Sequence, residues 1–119
     1  MIHVVNKSVH TGTPTDFYIG RGSALGNPFT HGPLNRSKAE FRCLTREDAI
    51  ESYEKYLRDK IAEKDKDICN ILNRIYKTAI IGEAYLVCYC APKPCHGEVI
   101  KRIVDEKLNE RMKQILRKK

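Results

Sequence analysis

The sequence predicts an α/β fold: a short, mainly parallel, Rossmann-like sheet flanked by about three helices, with a long N-terminal glycine-rich loop. Three observations lead there. Short apolar runs at residues 2–6, 17–20 and 85–90 are bounded by turn residues and read as strands. Amphipathic stretches with helical spacing separate or follow them. Strands separated by helices pair in parallel through right-handed crossovers. A length of 119 residues suits a single domain over 1–119 with a real buried core.

The elements follow in order. Ile2–Asn6 is an apolar run closed by polar residues, and Phe17–Gly20 is a second run leading straight into Arg21-Gly22-Ser23. Residues 21–44 hold glycine or proline at Gly22, Gly26, Pro28, Gly32 and Pro33, so they predict a long ordered loop. Thr45 is a good N-cap with Glu47 and Asp48 in the first turn, and Ile50, Tyr53, Leu57 and Ile61 recur at helical spacing. A second stripe comprises Ile68, Ile71, Leu72, Ile75 and Tyr76, with Gly82 as its stop. Tyr85–Cys90 reads as a buried strand that Pro92 and Pro94 end. From Gly97 onward Ile100, Val104, Leu108, Met112 and Ile115 line one helical face.

Composition narrows the classes. A hydrophobic fraction of 41% and a charged fraction of 31% fit a globular protein and argue against disorder. No apolar run approaches the roughly 20 residues that cross a bilayer, and no secretory leader is visible, so a cytoplasmic protein without a membrane partner is expected. Five cysteines, an odd number, then argue against a disulfide framework. The net charge of +7 concentrates toward the C-terminus, where the last nine residues carry five basic side chains and no acidic one. Such a helix end over 105–119 complements the helix dipole, or it binds nucleic acid. No aromatic residue interleaves with it.

Two segments carry candidate chemistry. In the first, Gly20, Gly22 and Gly26 allow close backbone approach, and exposed amides in glycine-rich backbone bind anions. Arg21 adds a guanidinium fork, with Ser23 and Asn27 as further polar contacts. The pattern is neither a Walker loop nor a dinucleotide fingerprint. The structural alternative is that the glycines make turns and Arg21 pairs internally. The second segment is Cys88-Tyr-Cys-Ala-Pro-Lys-Pro-Cys-His-Gly97, joining a strand end to a helix start. Ligands of open α/β sheets bind at this edge. The amides of residues 96–99, Gly97 included, are then unpaired donors suited to an anion. Cys95 and His96 are the candidate reacting groups, as thiolate and as acid or base.

Cys88, Cys90, Cys95 and His96 would suffice for zinc by count, but the spacing is poor and no Cys-x-x-Cys is present, so no cofactor is the leading expectation. His3 and His10 read as ordinary surface or core histidines, Tyr53 and Tyr56 as packing residues, and Cys43 and Cys69 as small hydrophobes.

Tyr18-Ile-Gly-Arg-Gly-Ser, then Gly26-Asn-Pro-Phe, then Leu86-x-Cys-x-Cys-x-Pro-x-x-Cys-His-Gly together resemble the family catalogued as domain of unknown function 4326. The resemblance runs from Val4 to about Val104 and differs mildly at Tyr89, where tryptophan is frequent, and at Glu98, where aspartate is common. It implies a small protein of phages and bacteria in which both segments form one site, and it brings no assigned activity. The matching positions are Gly20, Arg21, Gly26, Asn27, Pro28, Phe29, Cys90, Pro92, Cys95, His96 and Gly97.

The leading expectation is a site between the two segments for binding or processing a nucleotide or phosphorylated metabolite. Its phosphate would lie on the last helix start beside Arg21. The alternatives are a nucleic-acid-binding or partner-modulating basic protein and a zinc-stabilised interaction module.

Overall fold

The structure, a computed structural model, describes residues 1–20, 22–30, 41–42, 45–89 and 95–117. Among them the order is β1 (Ile2–Asn6), β2 (Asp16–Tyr18), β3 (Phe29–Thr30), β4 (Phe41–Arg42), α1 (Arg46–Ala62), α2 (Lys66–Ile81), β5 (Ala84–Cys88) and α3 (His96–Arg117). β5 lies between β1 and β2 and runs parallel to both, with Val4 and Phe17 each opposite Leu86. The ladders continue past the strands, where Lys7 N–H donates to the Cys88 carbonyl and Ile19 N–H to that of Val87.

The helices start where side chains can satisfy their first amides. The Thr45 hydroxyl accepts the Asp48 N–H at 3.1 Å, and the Asp65 carboxylate accepts that of Ile68 at 3.1 Å. Between them Lys64 adopts φ 60°, a left-handed conformation that turns the chain from α1 into α2. Gly82 closes α2 by donating its N–H to the Thr78 carbonyl.

Alternation along the strands divides the sheet into two unlike faces. Ile2, Phe17, Ile19, Ala84, Leu86 and Cys88 point into one core cluster, joined by Tyr53 and Leu57 of α1, Ile68, Leu72 and Ile75 of α2, and Val99, Ile100 and Val104 of α3. Each Val, Leu, Ile or Phe among them contributes roughly 1.5–3 kcal/mol when fully buried. All three helices thus cover the same side. The other face carries His3, Val5, Asp16, Tyr18, Tyr85 and Val87, placed together by the register.

Element ends differ slightly from expectation. β2 covers Asp16–Tyr18 instead of residues 17–20, because the Gly20 carbonyl turns to accept the Ser23 amide and hydroxyl. β5 starts at Ala84 and ends at Cys88, and α3 starts at His96. The stretch expected as a loop over 21–44 contains the parallel pair β3 and β4, with Phe29 opposite Phe41. Arg21, Cys43 and residues 90–94 lie outside the described residues. No helix among the described residues is long and apolar enough to cross a membrane.

The apolar face of α3 is used along only part of its length. Val99, Ile100 and Val104 are buried, whereas every residue from Asn109 to Arg117 is exposed, Met112, Ile115 and Leu116 among them. Urea denaturation should therefore give Leu86→Ala a loss of about 2–5 kcal/mol and Met112→Ala less than about 0.5 kcal/mol. Comparable losses for the two would contradict this division of the core.

Candidate functional site

The two motif segments meet at His96. Its Nε2 makes a short hydrogen bond with the Ile19 carbonyl, immediately before Gly20. The ring stands edge-on to Tyr53 with centroids 5.0 Å apart. Next to it, a β-carbon at Gly97 would lie 2.8 Å from Val4 Cγ1 and 3.0 Å from Ile19 Cδ1. Glycine is what lets α3 begin this close to the sheet.

Most polar groups of these segments are engaged within the protein. Ser23 Oγ donates to the Gly20 carbonyl at 2.6 Å, and Gly22 sits at φ 97° in the turn between them. The Leu25 carbonyl accepts the Tyr53 hydroxyl at 2.7 Å. Burial pushes that phenol far above its ordinary range, with Tyr56 and Cys95 adding to the effect, so it remains a donor. Buried Asn27 donates Nδ2 to the Ala49 carbonyl of α1. At the start of α3, Gly97 N–H reaches Cys95 Sγ at 3.3 Å and Glu98 N–H reaches the Cys95 carbonyl at 3.2 Å. The amides of residues 96–99, expected from sequence as open donors, therefore already include two with acceptors. His96 is 8% exposed, and an imidazole so enclosed braces the fold before it meets any ligand.

Cys88 and Cys95 are both buried, with sulfurs 3.6 Å apart. That separation suits two thiolates on one ion. The third sulfur considered, Cys90, lies outside the described residues, and the His96 Nε2 is engaged with the Ile19 carbonyl. Among the described residues no group of three or more His, Cys, Asp or Glu side chains gathers as a metal requires.

The open sheet face gathers a different set. At the carboxyl ends of the strands Lys7 Nζ lies 5.3 Å from the Tyr18 ring centroid and 5.9 Å from that of Tyr89. The two rings meet edge to face at 6.3 Å. They are 43% and 58% exposed. Gly20 belongs here too, since a β-carbon on it would collide with the Tyr18 phenol. Asn6 fixes the arrangement: its Nδ2 donates to the Tyr89 carbonyl at 3.2 Å, and its own carbonyl accepts the Val9 and His10 amides.

Beneath Lys7 and Tyr18 runs a cavity of about 370 Å³, lined also by His10, Gly12, Asp16 and Val87. His10 Nε2 donates to Asp16 Oδ1 at 3.0 Å. Burial alone would push the Asp16 carboxyl up, but the Thr13 hydroxyl and amide, together with His10, outweigh it and hold that carboxyl below its ordinary range. A larger cleft of about 450 Å³, lined by Ile61, Leu72, Tyr76, Ile103 and Val104 among others, contains no residue of either motif segment.

Sequence reasoning passed over Lys7, His10, Asp16, Tyr18 and Tyr89 as site residues. The available signal was the His-x5-Asp spacing beside an alternating strand, and it acquires meaning only once the register is known.

The sequence model of a protein family described as a domain of unknown function (DUF4326) matches residues 2–106 of the chain. No curated protein and no solved structure matches it.

Asp16 makes a pH test of this face. Its carboxyl is depressed in the folded state, so its contribution is complete above the unfolded value near 3.9 and disappears as pH falls through the folded value. Asp16→Asn should therefore be less stable than wild type at neutral pH, with the gap narrowing on acidification. Urea midpoints of both proteins between neutral and strongly acidic pH measure this, and a gap independent of pH would refute it.

Proposed function

The chain belongs to the DUF4326 family, and from the side chains gathered on its open sheet face we propose that it binds a nucleotide or a related phosphorylated metabolite. The observation that carries this reading is the Lys7 ammonium poised between two exposed tyrosine rings above a cavity. A nucleobase stacks on such rings in a sequence-tolerant way, and a phosphate completes the charge of the lysine. Arg21 lies outside the described residues; the sequence motif offers its guanidinium as a second cation for the phosphate. A cavity of about 370 Å³ lies in the range of small-molecule sites. On this reading His96, Gly97, Ser23 and Asn27 shape the site from behind, and Cys95 orders the helix start.

Calorimetry with a panel of nucleoside mono- and diphosphates tests the proposal. At least one member should bind, and Lys7→Ala, Arg21→Ala and Tyr89→Ala should each weaken it roughly tenfold or more, since one stacked ring contributes about 1–3 kcal/mol. Absence of binding across the panel, or affinities unchanged in all three variants, sinks the reading.

A second reading has its own observation. Arg111, Lys113 and Arg117 lie on the fully exposed end of α3, which would grip nucleic acid through its phosphates. Fluorescence anisotropy with duplex and single-stranded oligonucleotides should then show affinity falling steeply with salt and lost on removal of residues 111–119. Binding indifferent to either change excludes this role for the tail.

A further inference from the structure

Two histidines flank the Tyr85 ring on the open face, His3 from the β1 side at 5.1 Å and His10 from the β2 side at 5.0 Å between centroids. Each holds a carboxylate through Nε2, His3 that of Glu83 and His10 that of Asp16. The likeness stops there. The His3–Glu83 pair is exposed and lies outside the cavity lining, whereas His10 and Asp16 are 14% and 24% exposed and both line the cavity.

The His10 pair is also held from more directions. Asp16 accepts the Thr13 amide at 3.0 Å and its hydroxyl at 2.7 Å, and the His10 backbone N–H is fixed on the Asn6 carbonyl at 2.9 Å. A carboxylate that engages Nε2 leaves Nδ1 as the proton-accepting nitrogen of the ring. An imidazole oriented by a fixed carboxylate in a cleft, with a cation on the same cleft, is the arrangement of a general base and its orienter.

Resting on the nucleotide reading of this cavity, the geometry points to His10 as the general base of a hydrolytic site for a phosphate ester, with Asp16 as its positioning residue. Phosphorus is the centre attacked, because Lys7 draws the phosphate to the cavity that His10 lines. A water at Nδ1 passes a proton to the imidazole as its oxygen bonds to phosphorus. The bond from phosphorus to the bridging oxygen breaks, and its electron pair stays on that oxygen. The leaving oxygen, in line on the far side of phosphorus, takes a proton from solvent, and the imidazolium, steadied by Asp16, releases its proton to solvent. Ester and water become alcohol and phosphate, and no other reactant is consumed. Lys7 offsets the negative charge that grows in the transition state.

The test incubates the full chain with the nucleoside mono- and diphosphate panel in ¹⁸O-enriched water. Phosphorus NMR follows the products, and calorimetry is run on the same samples. At least one bound member should release phosphate carrying one ¹⁸O from solvent. His10→Ala should lower the rate by roughly 10²–10⁴-fold while Kd changes less than about threefold, and added imidazole should restore part of the rate. Asp16→Asn should reduce kcat more than it alters KM, with Asp16→Glu recovering part of it. His3→Ala should leave turnover unchanged. Binding without phosphate release, label in the nucleoside product, or an undiminished rate in His10→Ala overturns this assignment alone. Failure of every panel member to bind overturns the nucleotide reading and this assignment with it. Should His10→Ala not fold, as judged by circular dichroism, the wild-type label and the Asp16 variants decide the matter.

Discussion

The hydrogen-bonded position of β5, parallel to a strand on either side, is the constraint from which the other features follow. Its amides and carbonyls are engaged by β1 and β2 at once, so the three strands share one register and one alternation of faces. Ile2 and Val4 of β1 and Ala84, Leu86 and Cys88 of β5, with Phe17 and Ile19 beside them, turn toward the helices and close the core. Their neighbours are obliged to turn the other way. The helices have a single apolar surface to cover, and they cover it together. What remains is a sheet face furnished by strand and loop side chains, and its polar, aromatic and cationic character is the counterpart of an aliphatic core opposite.

The glycine-rich and cysteine-rich segments acquire a clear physical task in this setting. Between them they attach the end of β2 to the starts of α1 and α3: Ile19 to His96, Leu25 to Tyr53 and Asn27 to Ala49. The first two links satisfy backbone carbonyls of an irregular segment, and the third ties buried Asn27 to a carbonyl of α1. Rigidity at these points holds Gly20 against Tyr18, and Asn6 ties the turn after β1 to Tyr89.

Much of this was legible from residues alone. The capping residue Thr45, the stripes Tyr53–Leu57 and Ile68–Leu72–Ile75, and the apolar run at Leu86 declare helices and a buried strand through local chemistry. The segments carrying the two motifs meet where His96 engages the Ile19 carbonyl, while Arg21 lies outside the described residues. Element ends were less legible. Whether Ile19 belongs to β2 depends on where the Gly20 carbonyl turns, and that is decided by Ser23 three residues on. The open face was not legible at all. His10 and Asp16 are ordinary residues until Tyr85 and Val87 are set beside them, and a one-residue slip would have buried Asp16 instead. Gly97 was read as an anion contact, and the structure adds that its lack of a side chain lets α3 begin close to Val4 and Ile19.

The free end of α3 sets the limit of what packing does for this chain. Beyond Leu108 no residue of the helix is withdrawn from water, although the helix continues through Arg117. Its winding there depends on backbone hydrogen bonds and intrinsic propensity, without help from a neighbouring element. Cooperative unfolding of the body and melting of this last stretch are consequently separate events. The stretch can change its conformation, or its sequence, with little cost to the domain from which it projects.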